Sequence, residues 1–123
     1  MLFRSIIGDR LDTDIWAGHN AAVPTLLVLT GVSTARDVVM DEPWLRPTYI
    51  GRDLRALAEP QIGVMDLGSV VRCGDAQATL SNDVITVDGS DPVNMLKAVA
   101  SIAWSHPEAS HDDAVNKIEQ FLR

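Results

Sequence analysis

Two short, nearly unbroken apolar runs constrain this chain most. Residues 3–7 and 25–30 are apolar through most of their positions, which is how a strand covered on both faces reads. Between them, Asp12 or Thr13 is placed to cap a helix, Ile15, Ala17, Ala21 and Ala22 supply its inner face, and Pro24 ends it. Strand, helix, strand in that order is a βαβ unit, the building block of a parallel sheet. The expected fold class is therefore α/β. Ligands of such sheets sit beyond the carboxyl ends of the strands, and Gly8-Asp9 and Thr30-Gly31 fall at those ends.

Further along, Ser33 or Thr34 caps a short helix reaching Val39. Residues 41–47 read as a loop, Thr48-Tyr49-Ile50 as a short strand and residues 52–58 as a short helix. Residues 60–63 look like a boundary. The expected division is 1–60, part of a parallel-sheet core, and 61–123, a small α+β tail. In the tail, residues 64–72 are weakly strand-like. Residues 76–80 and 84–87 flank a hairpin turn at Ser81-Asn82-Asp83. Asp91-Pro92 opens a helix with its cap and its first-turn proline in the usual places. Val93, Leu96, Val99 and Ile102 or Ala103 give that helix an apolar face. Ser110 and Asp113 form a capping-box pair for a last helix bearing Val115, Ile118 and Phe121 or Leu122.

Composition excludes several classes of function. The net charge is −7 with no Lys/Arg cluster, which argues against nucleic acid as a partner. No apolar run approaches the roughly 20 residues of a membrane span, and the N-terminus lacks a secretory pattern. A cytoplasmic protein with no membrane partner is expected. The single cysteine, Cys73, allows no internal disulfide and no multi-cysteine metal site. Acidity also disfavours anionic phosphate substrates, unless a cation mediates.

The stretch Gly8-Asp9-Arg10-Leu11-Asp12-Thr13-Asp14-Ile15 suggests such a cation. It places three carboxylates in a short loop directly after a buried strand. Packing acids together is unfavourable through like-charge repulsion. A divalent ion removes that repulsion, and magnesium accepts hard oxygen ligands from one or two carboxylates. Gly8 is expected to let the backbone turn sharply there. A plainer role for Asp12 or Asp14 is to cap the following helix; Asp9, ahead of the helix, is the acid that this role explains least.

Here the sequence resembles a known family. The acidic stretch, followed by Gly18 and Asn20-Ala21 and then by Thr25-Leu26-Leu27-Val28-Leu29-Thr30-Gly31-Val32-Ser33-Thr34, resembles the fourth motif of haloacid dehalogenase-type phosphatases. Pro47-Thr48-Tyr49-Ile50 with Asp53-Leu54 and Leu57 is similar to the branch containing NagD-like, p-nitrophenyl phosphate, phosphoglycolate and glycerol-phosphate phosphatases. The likeness spans residues 3–57. It implies the C-terminal part of a Rossmann-like core and hydrolysis of a small phosphorylated metabolite. It implies Asp9 as a magnesium ligand, Asp14 supporting the metal site from behind, and Asp12 with a lesser share. The nucleophilic Asp-x-Asp, the Ser/Thr motif, the Lys motif and the cap domain of that family have no counterpart in the sequence. The chain is thus expected to be a fragment, inactive alone, that self-associates as a homodimer or pairs with a complementing N-terminal fragment.

The remaining residues read as structural. Lys97 and Lys117 are expected to be solvated, His19 to be a surface or capping residue, and His106 and His111 to flank a solvated loop. Trp16, Trp44 and Trp104 are expected to pack, Cys73 to be inert and Gly74-Asp75 to be a turn. The tail loosely resembles part of an acetyltransferase fold, but no glycine-rich pyrophosphate loop lies between Val87 and Leu96. A non-catalytic interaction or dimerisation module is the alternative to a phosphatase fragment, with acetyl transfer by the tail as a third reading.

Overall fold

β1 (Ile6–Gly8), β2 (Thr25–Val28) and β3 (Tyr49–Gly51) form a parallel sheet in the order β1-β2-β3 in the computed structural model of the chain. The structure describes residues 6–8, 14–20, 22–29, 34–40, 46–53, 55–56 and 62–122. The chain divides into two units, Met1–Gln61 and Ile62–Arg123. Among the described residues no helix is long and apolar enough to cross a membrane.

In the first unit, Ile7 pairs with Leu26 and Gly8 with Leu27, while Leu27 pairs with Ile50 and Val28 with Gly51. All four residues of β2 are buried, as a central parallel strand should be. Thr25 is a buried polar residue, and its partner is Thr48. The Thr25 amide donates to the Thr48 hydroxyl at 3.0 Å, and the Thr48 amide donates to the Thr25 hydroxyl at 2.9 Å. This reciprocal clasp satisfies the amino ends of β2 and β3. Leu26 and Val28 pack with Ala56, and Tyr49 lies against them.

α1 (Trp16–Asn20) follows a wide π-type turn at Asp14 and Ile15. Its inner face differs from expectation. Ile15 and Gly18 are buried, but Ala17 and Ala22 are exposed, and Trp16 is 48% exposed rather than packed. The π turn shifts the helical phase, so the buried position moves from Ala17 to Gly18. The helix closes with a Schellman motif: the Val23 amide donates to the Gly18 carbonyl at 3.0 Å and the Ala22 amide to that of His19 at 3.1 Å. The left-handed position of this motif, usually glycine, is Ala22 at φ 57°. An Ala22→Gly variant should therefore gain about 0.5–1 kcal/mol. Chemical denaturation of the two proteins checks this.

α2 (Ala35–Met40) begins with a capping box. The Asp37 amide donates to the Thr34 hydroxyl at 3.2 Å, and the Thr34 amide donates to the Asp37 carboxylate at 2.8 Å. Of the helix expected over 52–58, Arg52 and Asp53 form a bend instead, and Arg55 and Ala56 form a tight 3₁₀ turn. The rest of it lies outside the described residues. So do Ala21, Thr30, Gly31, Ser33, Trp44 and Leu57.

The second unit is an antiparallel meander of β4 (Met65–Asp66), β5 (Val70–Cys73), β6 (Ala76–Ser81) and β7 (Val84–Asp88), with α3 (Pro92–Ser105) and α4 (Asp112–Leu122). The weak strand expected over 64–72 is in fact two strands, because the chain turns at Gly68. Asn82 and Asp83, at φ 51° and 60°, give the β6–β7 hairpin the signature of a type I′ turn. The Asp91 carboxylate caps α3 by accepting the Val93 amide at 2.9 Å, with Pro92 in the first turn.

α3 packs against β5, β6, β7 and α4. It is consequently buried well beyond one face, at Asn94, Met95, Leu96, Ala98, Val99, Ala100, Ile102 and Ala103. α4 is one-sided, with Ala114, Val115 and Ile118 buried and Phe121 40% exposed. The expected capping box at Ser110 does not start α4. The Ser110 carbonyl accepts the Ile85 amide and its own amide donates to Asp83, so Ser110 is tied to β7 and the helix begins at Asp112.

Neither lysine is merely solvated. The Lys117 ammonium donates to the Val87 carbonyl at 2.9 Å and pairs with Asp88, and Lys97 reaches the Ile62 carbonyl at 3.4 Å. His106 is also engaged: it is the C-terminal cap of α3, with its amide on the Ile102 and Ala103 carbonyls.

Candidate functional site at the carboxyl end of the parallel sheet

Gly8 is the last residue of β1, where a parallel sheet presents its ligands. A Cβ built on Gly8 would collide with the Cβ, Cγ and Oδ2 of Asp14. The Asp14 carboxylate therefore lies directly over the end of β1, in space that any other residue at position 8 would fill. Gly8 was expected to let the backbone turn sharply, yet its φ is not in the left-handed region. Its backbone is ordinary strand, paired with Leu27. The need for glycine is one of room rather than of turning.

Asp14 is half-buried at the π turn and precedes the first turn of α1, which itself contains no acid. Its side chain is thus held against the end of β1, in the turn that leads into α1. Asp9 and Asp12 lie outside the described residues. Among the described residues no three His, Cys, Asp or Glu side chains converge. The fitness of this end of the sheet for magnesium rests on the Asp14 cradle. A carboxylate is the hard donor that the ion prefers, and the missing Cβ leaves it space.

A second acid stands after the far strand. Asp53 follows β3 and accepts the Arg55 guanidinium through both oxygens, from Nε at 3.0 and 3.1 Å and from Nη2 at 2.6 Å, as well as the Arg55 amide at 2.9 Å. The Arg55 side chain, and then its amide, hold the Asp53 carboxyl down to about 2. Sequence reading quoted Asp53 only as part of a family likeness. The signal that could have found the pair is an acid two residues before an arginine at a strand end.

Because folding lowers this pKa, the Asp53 contribution to stability is complete above the ordinary carboxylate range and fades as the pH falls toward about 2. NMR titration of the Asp53 carboxyl should give that value, and Arg55→Ala should return it toward 3.8. His19, by contrast, is an exposed residue in the last turn of α1.

The HAD-hydrolase-like family model matches residues 5–57. Over that segment the chain is similar to HAD-like hydrolases. Among curated relatives, the D-glycerol 3-phosphate phosphatase of Mycobacterium tuberculosis is 42% identical over 110 residues, covering 80% of this chain and 30% of that protein. The ribonucleotide monophosphatase NagD of Escherichia coli is 49% identical over 45 residues, 37% of this chain and 17% of that enzyme.

The crystal structure of the M. tuberculosis glycerol phosphate phosphatase in complex with magnesium superposes with a TM-score of 0.70 at 34% identity. It covers 94% of this chain and 36% of that one. Its calcium complex superposes with a TM-score of 0.61 at 38% identity, covering 85% of this chain and 31% of that one. The chain therefore spans about a third of the length of that phosphatase. The structural match also extends past residue 57 into the α+β unit, so the tail is shared with that phosphatase.

Proposed function

We propose that the chain is the C-terminal portion of a magnesium-dependent phosphate monoester hydrolase acting on a small phosphorylated metabolite, and that it turns over no substrate alone. The observation that carries this is the Asp14 carboxylate cradled against Gly8 at the end of a parallel strand. Asp9 would bind the ion directly, Asp14 would hold the site from behind, and Asp12 would contribute less. Magnesium bound there would neutralise charge between the carboxylates and a transferring phosphoryl group. The nucleophilic carboxylate and the phosphate-binding Ser/Thr and Lys would come from the remainder of such an enzyme.

Glycerol phosphate is the first substrate to test, given the relatives named above. Manganese, read by electron paramagnetic resonance and competed with magnesium, serves as the probe of the isolated chain. We expect binding by the wild type, its loss in Asp9→Asn, and roughly 10- to 100-fold weakening in Asp14→Asn. Hydrolysis of glycerol phosphate by the chain alone should stay at background. Unchanged metal binding in Asp9→Asn, or turnover by the chain alone, defeats the proposal.

A second reading, self-association, draws on the edge strand β4. The β7 edge is covered by Ser110 and Lys117, whereas Met65 and Leu67 at β4 are 59% and 57% exposed. Sedimentation of a strictly monomeric chain would exclude it.

A further inference from the structure

β7 ends at Asp88, and the residue after it is glycine for want of room. A Cβ built on Gly89 would stand 3.0 Å from the Cα and Cβ of Ala76 and from the Cγ of Met95. Its φ of 155° is also one that L side chains rarely adopt. The passage of the chain from β7 to α3 therefore imposes Asp88-Gly89, the one Asp-Gly step in the sequence, which has no Asn-Gly step. In such a step the side-chain carboxyl closes most readily on the following backbone amide, because no side chain shields that amide. Asp91 is spared the same reaction, since Pro92 has no N–H to offer.

The site is open to the water that the reaction needs, for the Asp88 side chain is 91% exposed. One oxygen of its carboxylate accepts the Lys117 ammonium of α4 at 3.1 Å. The same ammonium donates to the Val87 carbonyl at 2.9 Å, so Lys117 ties down both the peptide ahead of Asp88 and the Asp88 side chain. An ion pair so exposed holds its members weakly, which leaves the carboxyl free at intervals to turn back over the Gly89 amide.

We propose that Asp88-Gly89 is a self-modification site of the folded protein, a slow isomerisation to isoaspartate that Lys117 restrains. The Gly89 nitrogen bonds to the Asp88 Cγ, and the Cγ hydroxyl leaves as water with the amide hydrogen, closing a succinimide ring. Water then opens the ring at either carbonyl. Opening at the former main-chain carbonyl leaves the chain running through Cγ, one carbon longer. One water leaves and one enters, so no oxidant is needed, and neither metal nor substrate takes part. The extra carbon displaces Ser90, whose amide donates to the Asp75 carboxylate at 3.0 Å and whose hydroxyl donates to the same oxygen. It also displaces Asp91, the cap of α3. The isomerised unit therefore loses the contacts that start its longest helix and melts below the unmodified one.

Incubation of the full chain at physiological temperature in water enriched in heavy oxygen, followed by digestion and mass spectrometry, reads the site directly. Enzymatic methylation of isoaspartate gives a second readout. We expect isoaspartate carrying one heavy oxygen at position 88 of the folded wild type. Lys117→Met should form it roughly two- to fivefold faster, the gain expected from losing an exposed ion pair, and Lys117→Arg should stay slow. If Lys117→Met melts below the incubation temperature, Lys117→Gln takes its place with the same readings. Asp88→Glu keeps a carboxylate for Lys117 but closes the ring poorly, and should give no product. A wild type that stays unconverted after the free peptide of residues 84–93 has converted overturns the proposal. So do equal rates with and without the Lys117 ammonium, or isomerised protein that melts like the unmodified one.

Discussion

Gly8→Ala should weaken metal binding roughly 10- to 100-fold, as loss of a supporting group at a metal site does, and should destabilise the first unit by about 1–3 kcal/mol through overpacking. The added methyl would meet the Cβ of Asp14 as well as its carboxylate. Rotation about χ1 moves the carboxylate but leaves that Cβ in place. Relief therefore requires a shift of the end of β1 or of the π turn, and either one displaces Asp14. Asp14→Asn gives the contrasting result, with affinity lost and stability nearly kept, since asparagine has almost the same shape. In the Gly8→Ala background, Asp14→Gly should recover part of the lost stability by removing the obstructing side chain, the non-additivity expected of two residues in contact. Manganese titration and urea denaturation of the four proteins measure both quantities. Wild-type affinity and stability in Gly8→Ala would show that the cradle has no role.

Leu96→Ala should unfold the second unit at physiological temperature. Leu96 is fully buried in α3, the helix that touches three strands and α4. Truncating a leucine at such a position costs about 2–5 kcal/mol, according to how far the surroundings collapse into the cavity. A unit of roughly 60 residues with a single cysteine, and so with no internal disulfide, has about 3–5 kcal/mol in total. One substitution thus removes most of the margin. Circular dichroism should show loss of the cooperative transition of this unit, whereas Leu96→Met, which keeps the volume, should cost less than about 1.5 kcal/mol. Retention of a wild-type melting curve by Leu96→Ala would mean that α3 is not the keystone of the unit.

Local sequence signals were legible wherever a residue's partner lies within a few positions. Asp91 with Pro92, the cap at Thr34 and the turn at Ser81-Asn82-Asp83 all formed where expected, because capping and turn geometry depend on neighbouring backbone alone. The buried run at β2 was equally plain, since a strand covered on both faces has no polar alternation to conceal it. Where the partner is distant, the sequence misled. Lys97 and Lys117 looked solvated because nothing nearby in the chain announces the Ile62 and Val87 carbonyls that they reach. Ser110 looked like a helix cap, and its contact with β7 displaced that role. The exposure of Trp16 and the burial of Gly18 follow from the π turn, a phase shift that periodicity cannot show.

By itself, then, the sequence determined the α/β class, the order of the elements and the acidic loop that likens residues 5–57 to HAD-like hydrolases. Only the tertiary structure decided why position 8 is glycine. The demand comes from the Asp14 side chain folded back over the strand end, a steric fact between residues six apart that no local backbone preference encodes. It likewise buried α3 well beyond one face, because the extent of that burial depends on which strands and which helix come to surround it.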